Sequence, residues 1–101
     1  MRPRWTLGPL TLDTDKGEVY REGVPLALSA LEYRMLLLFA GNRGKLLSRN
    51  RLLEELWDMG GEFVNDNTLT VCIKRLRDKI EEDPAAPRII KTVRGLGYRA
   101  D

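Results

Sequence analysis

The sequence predicts an α+β domain, and three observations predict it. The first 28 residues alternate apolar and polar positions in short runs broken by turn signals. The middle of the chain carries three segments with helix start signals and helical spacing, and the end sets two β-type runs around Arg94-Gly-Leu-Gly97. With 101 residues, 43% of them hydrophobic and 32% charged, the chain is long enough for one core and too short for two. A single domain spanning residues 1–101 is expected.

The N-terminal runs are Leu10-Thr-Leu-Asp13 and Glu18-Val-Tyr-Arg21, separated by Asp15-Lys16-Gly17 and followed by Glu22-Gly23. They form an antiparallel ribbon whose apolar face, Leu10, Leu12, Val19 and Leu26, must cover something that follows, because such a ribbon is not stable alone. Ser29-Ala-Leu-Glu32 then has the spacing of a capping box, with Leu28 and Tyr33 placed for a hydrophobic staple. The first helix starts there and stops near Ala40, before Gly41 and Gly44. Leu31, Leu36, Leu38 and Phe39 make it the core helix.

Ser48 opens a second helix, short and amphipathic, with Leu52, Leu53, Leu56 and Trp57 on one side. Asp58 to Asn65 contains Gly60 and Gly61 and is expected to be an exposed loop, too long for the turn of a simple helix-turn-helix. One of Asn65, Asp66 and Asn67 caps a third helix, which runs to about Glu82 before Asp83-Pro84 ends it. At 100° per residue, Leu69, Ile73, Leu76 and Ile80 form its buried stripe. The opposite face holds Asn67, Thr70, Val71, Lys74, Arg75 and Asp78. Val71 is an apolar residue stranded among polar ones, as contact with a thymine methyl requires, and Thr and Arg hydrogen-bond to base edges. The helix has the chemistry of a reader of duplex DNA.

The last segment is a β-hairpin, Ile89 to Val93 and Tyr98 to Arg99, with Arg94 at a glycine-bearing tip. An arginine beside a basic reader helix can enter an adjacent, electronegative minor groove. The formal net charge is only +2, but its distribution is uneven. Arg88, Lys91, Arg94 and Arg99 stand without an acid between Pro84 and Ala100, and Lys74, Arg75, Arg77 and Lys79 face Asp78 alone between Thr68 and Ile80.

Composition excludes most alternatives. There is no histidine and one cysteine, so a disulfide within the chain, a Cys/His zinc site and a Ser/His or Cys/His nucleophile are all missing their parts. No catalytic residue, metal or cofactor is expected. The longest apolar run, Met35 to Ala40, falls far below the roughly 18 to 20 residues that span a bilayer. Nor does the basic start, Met-Arg-Pro-Arg-Trp, lead into a secretory signal core. A cytoplasmic protein without membrane contact is expected.

Helix, loop, reader helix and basic hairpin in this order resemble the winged-helix effector domains of the OmpR/PhoB family of bacterial two-component response regulators. The resemblance covers nearly the whole chain. It is carried by Leu28-Ser-Ala-Leu-Glu32, Ser48-Arg49 with Leu52-Leu53 and Leu56-Trp57, Thr68-Leu-Thr-Val-Cys-Ile-Lys-Arg-Leu-Arg77, and Lys91-Thr-Val-Arg-Gly-Leu-Gly-Tyr98. It implies a winged helix-turn-helix with an N-terminal four-stranded antiparallel sheet, three helices and a C-terminal hairpin wing. It also implies that Thr70, Val71 and Arg75 read bases, that Lys74 and Arg77 contact phosphates, and that Asn67, Thr68 and Cys72 lie near the DNA backbone. The wing tip, Arg94 and Gly95, would enter the minor groove, and Trp57, Thr92 and Tyr98 would touch phosphates. Trp57 and Tyr98 are equally suited to packing, since amphipathic aromatics do both. Two positions depart from the family pattern: Cys72, where many members carry histidine, and Asp78, usually basic.

The loop Asp58 to Asn65 corresponds to the family's transactivation loop, so Met59, Glu62 and Phe63 become candidate contacts for RNA polymerase. The phosphorylatable receiver domain that precedes this module in the family, and through which a cognate histidine kinase acts, has no counterpart in these residues; an isolated effector domain is expected. The expected function is sequence-specific binding of double-stranded DNA, as a dimer on direct-repeat half-sites, in regulating transcription. Two other classes compete. A protein-docking winged helix would not need basic density in both helix and hairpin, and single-stranded RNA binding would need exposed aromatics for stacking.

Overall fold

The computed structural model of the protein describes residues 4–60 and 66–100. Four strands come first: β1 (Arg4–Leu7), β2 (Leu10–Asp13), β3 (Glu18–Arg21) and β4 (Val24–Pro25). They form an antiparallel meander in the order β1-β2-β3-β4, with Trp5 opposite Leu12 and Leu12 opposite Val19. Leu7, Leu10, Leu12 and Val19 are buried, so the alternation seen in the sequence turns one face of the sheet onto the rest of the domain. β1 lies outside the runs that residue patterning marked. It supplies the fourth strand that the family resemblance implies.

Helix α1 (Ala30–Gly41) begins with the expected capping box. The Glu32 amide donates to Ser29 Oγ at 3.2 Å, and Glu32 Oε1 accepts from the Ser29 amide at 2.8 Å. Met35, Leu36 and Phe39 have no exposed surface, which makes α1 the centre of the core. Its end is held by Asn42, whose amide donates to the Phe39 carbonyl at 3.1 Å and whose side chain donates to the Leu38 carbonyl at 2.8 Å. Strand β5 (Leu46–Ser48) leads into α2 (Arg49–Gly60), where Ser48 Oγ caps the helix by accepting from the Arg51 amide at 3.1 Å.

Helix α3 (Asp66–Ile80) buries the expected stripe of Leu69, Ile73, Leu76 and Ile80 against α1 and α2. Truncating one of these, for example Leu76→Ala, would cost about 2 to 5 kcal/mol through lost burial and the cavity left behind. The helix stops two residues before Glu82, and Glu81 is the reason. Its carboxylate turns inward, 7% exposed as a residue, and accepts from the amides of Arg88 (2.8 Å), Ile89 (3.0 Å) and Ile90 (2.9 Å). The loop after α3 is thereby folded back onto the helix end. Strands β6 (Ile90–Val93) and β7 (Gly97–Ala100) form the hairpin, and β7 is the middle strand of a sheet ordered β5-β7-β6.

Candidate nucleic-acid interface

The outer face of α3 is open. Asn67, Thr70, Val71, Lys74, Arg75 and Asp78 are all exposed, and Val71, at 44%, is among the most exposed large apolar side chains of the described residues. Thr68 is half-buried at the first turn. The burial of Leu69, Ile73 and Leu76 on one side forces this row outward, so the helix that carries the core also presents hydrogen-bonding, apolar and cationic groups in one strip.

The hairpin tip is equally open. Arg94, Gly95 and Leu96 are exposed, Leu96 by 60%. The turn closes through the Leu96 amide, which donates to the Val93 carbonyl at 2.9 Å, while Gly95 takes the positive φ of 77° that the turn demands. Lys91 and Thr92 lie exposed on β6 behind the tip.

Two residues that the resemblance puts at or near the DNA backbone have surroundings within the fold. Cys72 is 7% exposed and belongs to the core. It stands three residues after Leu69 and four before Leu76, which puts it on the edge of the buried stripe rather than on the outer face. Burial pushes its thiol above the ordinary pKa, the negative charge of Glu32 adds to this, and Arg75 opposes it. A neutral thiol is a weak hydrogen-bond donor, so the position is one of packing. Arg77 turns toward the hairpin. Its Nε and Nη2 donate to the Ile90 carbonyl at 3.1 and 2.9 Å, and Nη2 donates to Thr92 Oγ1 at 2.8 Å. Its guanidinium carbon lies 5.6 Å from the centroid of the Tyr98 ring, in range for a cation–π contact.

Tyr98 itself is 7% exposed, so its ring packs in the core. Its hydroxyl accepts from Arg49 Nη1 at 2.9 Å, and Arg49 Nη2 donates to Thr70 Oγ1, also at 2.9 Å. Arg49 therefore joins the outer face of α3 to the wing, a role that residue patterning missed. A signal was present. A cation in the first turn of a helix opposes the helix dipole, which singles Arg49 out without saying where its side chain goes. The side chains of Trp57, Met59, Glu62 and Phe63 lie outside the described residues.

Comparison with known proteins places this geometry. Residues 23–100 match the family model described as "Transcriptional regulatory protein, C terminal". The chain is 42% identical over 95 residues to the sensory transduction protein RegX3 of Mycolicibacterium smegmatis, an alignment that takes in 93% of this chain and 41% of that protein. It is similar to the crystal structure of DrrB, an OmpR/PhoB homologue and response regulator of Thermotoga maritima, with 36% identity and a TM-score of 0.86 over 96% of this chain and 43% of the other. It is also similar to the DNA-binding domain of Klebsiella pneumoniae RstA, solved in complex with the RstA box, with 33% identity and a TM-score of 0.84 over 96% and 95% of the two chains. The present chain thus spans about two-fifths of the length of RegX3 and of DrrB. With three helices, an N-terminal four-stranded sheet and a C-terminal hairpin in the same arrangement, it belongs to the OmpR/PhoB family of response-regulator winged-helix DNA-binding domains.

Proposed function

We propose that the domain binds duplex DNA sequence-specifically, with α3 in the major groove and the hairpin wing in the adjacent minor groove, as the output module of a transcription regulator. The observation that carries this is the exposed row Thr70, Val71, Lys74 and Arg75 beside an exposed wing tip bearing Arg94. Arg75 donates to a base edge, Thr70 hydrogen-bonds to a second, and Val71 packs on a thymine methyl. Lys74, Asn67 and Thr68 anchor the helix to phosphates, which fixes register without reading sequence. The RstA domain, to which this chain is similar, was solved in complex with the RstA box, which supports DNA binding by this chain.

Family membership supports the rest of the reading. Two copies occupy direct-repeat half-sites, and a receiver domain controlled by a histidine kinase governs them. The segment from Met59, at the end of α2, through Glu62 and Phe63 touches RNA polymerase, and the protein works in the cytoplasm without chemical catalysis. Among the described residues no helix is long and apolar enough to cross a membrane. Selection from a random duplex library at near-physiological salt tests the function directly. An enriched direct repeat supports it, and a folded domain that enriches no sequence overturns it in favour of protein docking.

A further inference from the structure

Reading two grooves at once requires that the two readers keep a fixed separation. A base pair occupies roughly 3.4 Å along the helix axis, so a displacement of the wing by that distance moves it one base pair relative to α3. The hairpin is joined to its neighbours mainly through backbone pairing with β5, which sets Leu47 opposite Tyr98 and Ser48 opposite Gly97. Strand pairing alone does not tie the wing to α3. Two arginines do. Arg77 ties α3 to β6 through the Ile90 carbonyl and Thr92, and Arg49 ties α3 to β7 through Thr70 and Tyr98. Tyr98 is held at both ends, its hydroxyl by Arg49 and its ring by Arg77.

Of the two, Arg49 is the one whose bonds end on a residue of the reading face. Its guanidinium is a rigid planar fork, so a single group fixes Thr70 Oγ1 and Tyr98 Oη relative to each other. Tyr98 is paired with Thr92 across the hairpin, and one pair further along, Val93 stands opposite Gly97 at the base of the turn that carries Arg94. We propose that Arg49 is a positioning residue that sets the base-pair spacing between the tract read by α3 and the tract entered by the wing. The proposal rests on the DNA-binding reading above.

The test uses the isolated domain and a set of duplexes that carry the selected half-site. In these the adjacent A·T-rich tract is kept in place or shifted by one base pair in either direction. The wild-type domain should prefer one spacing by about tenfold or more. Arg49→Lys keeps the charge and loses the fork; it should shrink that preference to less than about threefold while the salt dependence of binding stays the same. Tyr98→Phe, which removes only the accepting hydroxyl, should reproduce the flattening, and combining the two should add little. Thermal unfolding of each variant identifies the ones that fold, and either single variant carries the comparison. An Arg49→Lys domain that keeps the wild-type preference overturns the proposal. So does one that loses affinity equally at every spacing with a shallower salt slope, since Arg49 is then a phosphate contact. A wild-type domain that binds every spacing alike overturns the proposal alone, and one that selects no duplex overturns the DNA-binding reading with it.

Discussion

Lys79 Nζ lies 2.6 Å from Glu32 Oε1, so the last turn of α3 is tied to the first turn of α1. Glu32 is 4% exposed and the same oxygen closes the α1 capping box, so one buried carboxylate serves two helix ends. Burial pushes the Glu32 pKa up, but the hydrogen bond from Lys79 and the Ser29 amide outweigh it, and the net position is below the ordinary 4.5.

The direction of that shift gives a pH dependence. A carboxyl held lower in the native state than in the unfolded chain contributes stability above the unfolded value near 4.5, and the contribution fades as pH falls through the lower native value. Glu32→Gln should cost about 1 kcal/mol at neutral pH, since the amide still accepts from Ser29 while the ionic bond, made to a partly exposed lysine, is lost. Denaturant unfolding as a function of pH should show the wild-type and variant curves converging on the acid side of 4.5. Parallel curves would remove Glu32 from the acid sensitivity of the fold.

How much was legible in the sequence depended on whether the determining signal was local. Ser29 and Glu32 sit three residues apart, and the cap they predicted is present. Leu69, Ile73, Leu76 and Ile80 defined the buried side of α3 by spacing alone. Cys72 lies at the edge of that stripe, whereas the sequence reading gave it only the place near the DNA backbone that the resemblance implies. Strand β5 was not legible, because three residues with one buried Leu47 carry no periodicity; β7 makes them a strand. Nor were the directions of Arg49 and Arg77, whose partners stand 13 to 49 residues away in the chain.

Cys72 gives the second prediction. A thiol whose pKa is raised by burial and by Glu32 has little thiolate at neutral pH, and thiolate is the reacting form. Alkylation of the native domain should therefore be slow and should accelerate in step with unfolding. Cys72→Ala should leave DNA affinity within about threefold. Rapid labelling of the folded domain, or a large affinity loss without loss of stability, would return Cys72 to the interface.

Reading and anchoring should separate on the outer face of α3. Neutralising about four to six phosphates per copy gives a log-log salt slope near −4 to −5. Arg75→Ala should cost roughly 1 to 3 kcal/mol and relax selectivity at one base pair, whereas Lys74→Ala should weaken all sequences alike and make the slope shallower by about one. Arg94→Ala should chiefly reduce the preference for a narrow minor groove beside the half-site. Binding of each variant to operator and random duplex decides the matter: equal losses on both for Arg75→Ala contradict base reading.

The wing's position depends on a glycine at its base rather than on those at its tip. A Cβ on Gly97 would run into the Leu47 carbonyl oxygen and stand 2.8 Å from Ser48 Cα, and its φ of +150° is one that side chains rarely adopt. The atoms it meets are backbone, so no rotamer change relieves the contact, and β7 must move away from β5. Ser48 caps α2 and Arg49 follows it, so the displacement reaches the residue that links Thr70 to Tyr98. Gly95 differs: a Cβ there meets nothing within 4 Å, and only its φ of +77° resists substitution. Gly95→Ala should therefore cost about 1 to 2 kcal/mol, the left-handed penalty alone. Gly97→Ala should cost more, about 3 kcal/mol or above, because steric displacement adds to backbone strain. Thermal unfolding of the two variants gives the ranking. Amide exchange then locates the damage, with protection lost at β7 and β5 in Gly97→Ala but kept in Gly95→Ala. Equal stabilities, or protection lost only at the tip in both, would show that the contact between β5 and β7 has room that this packing denies.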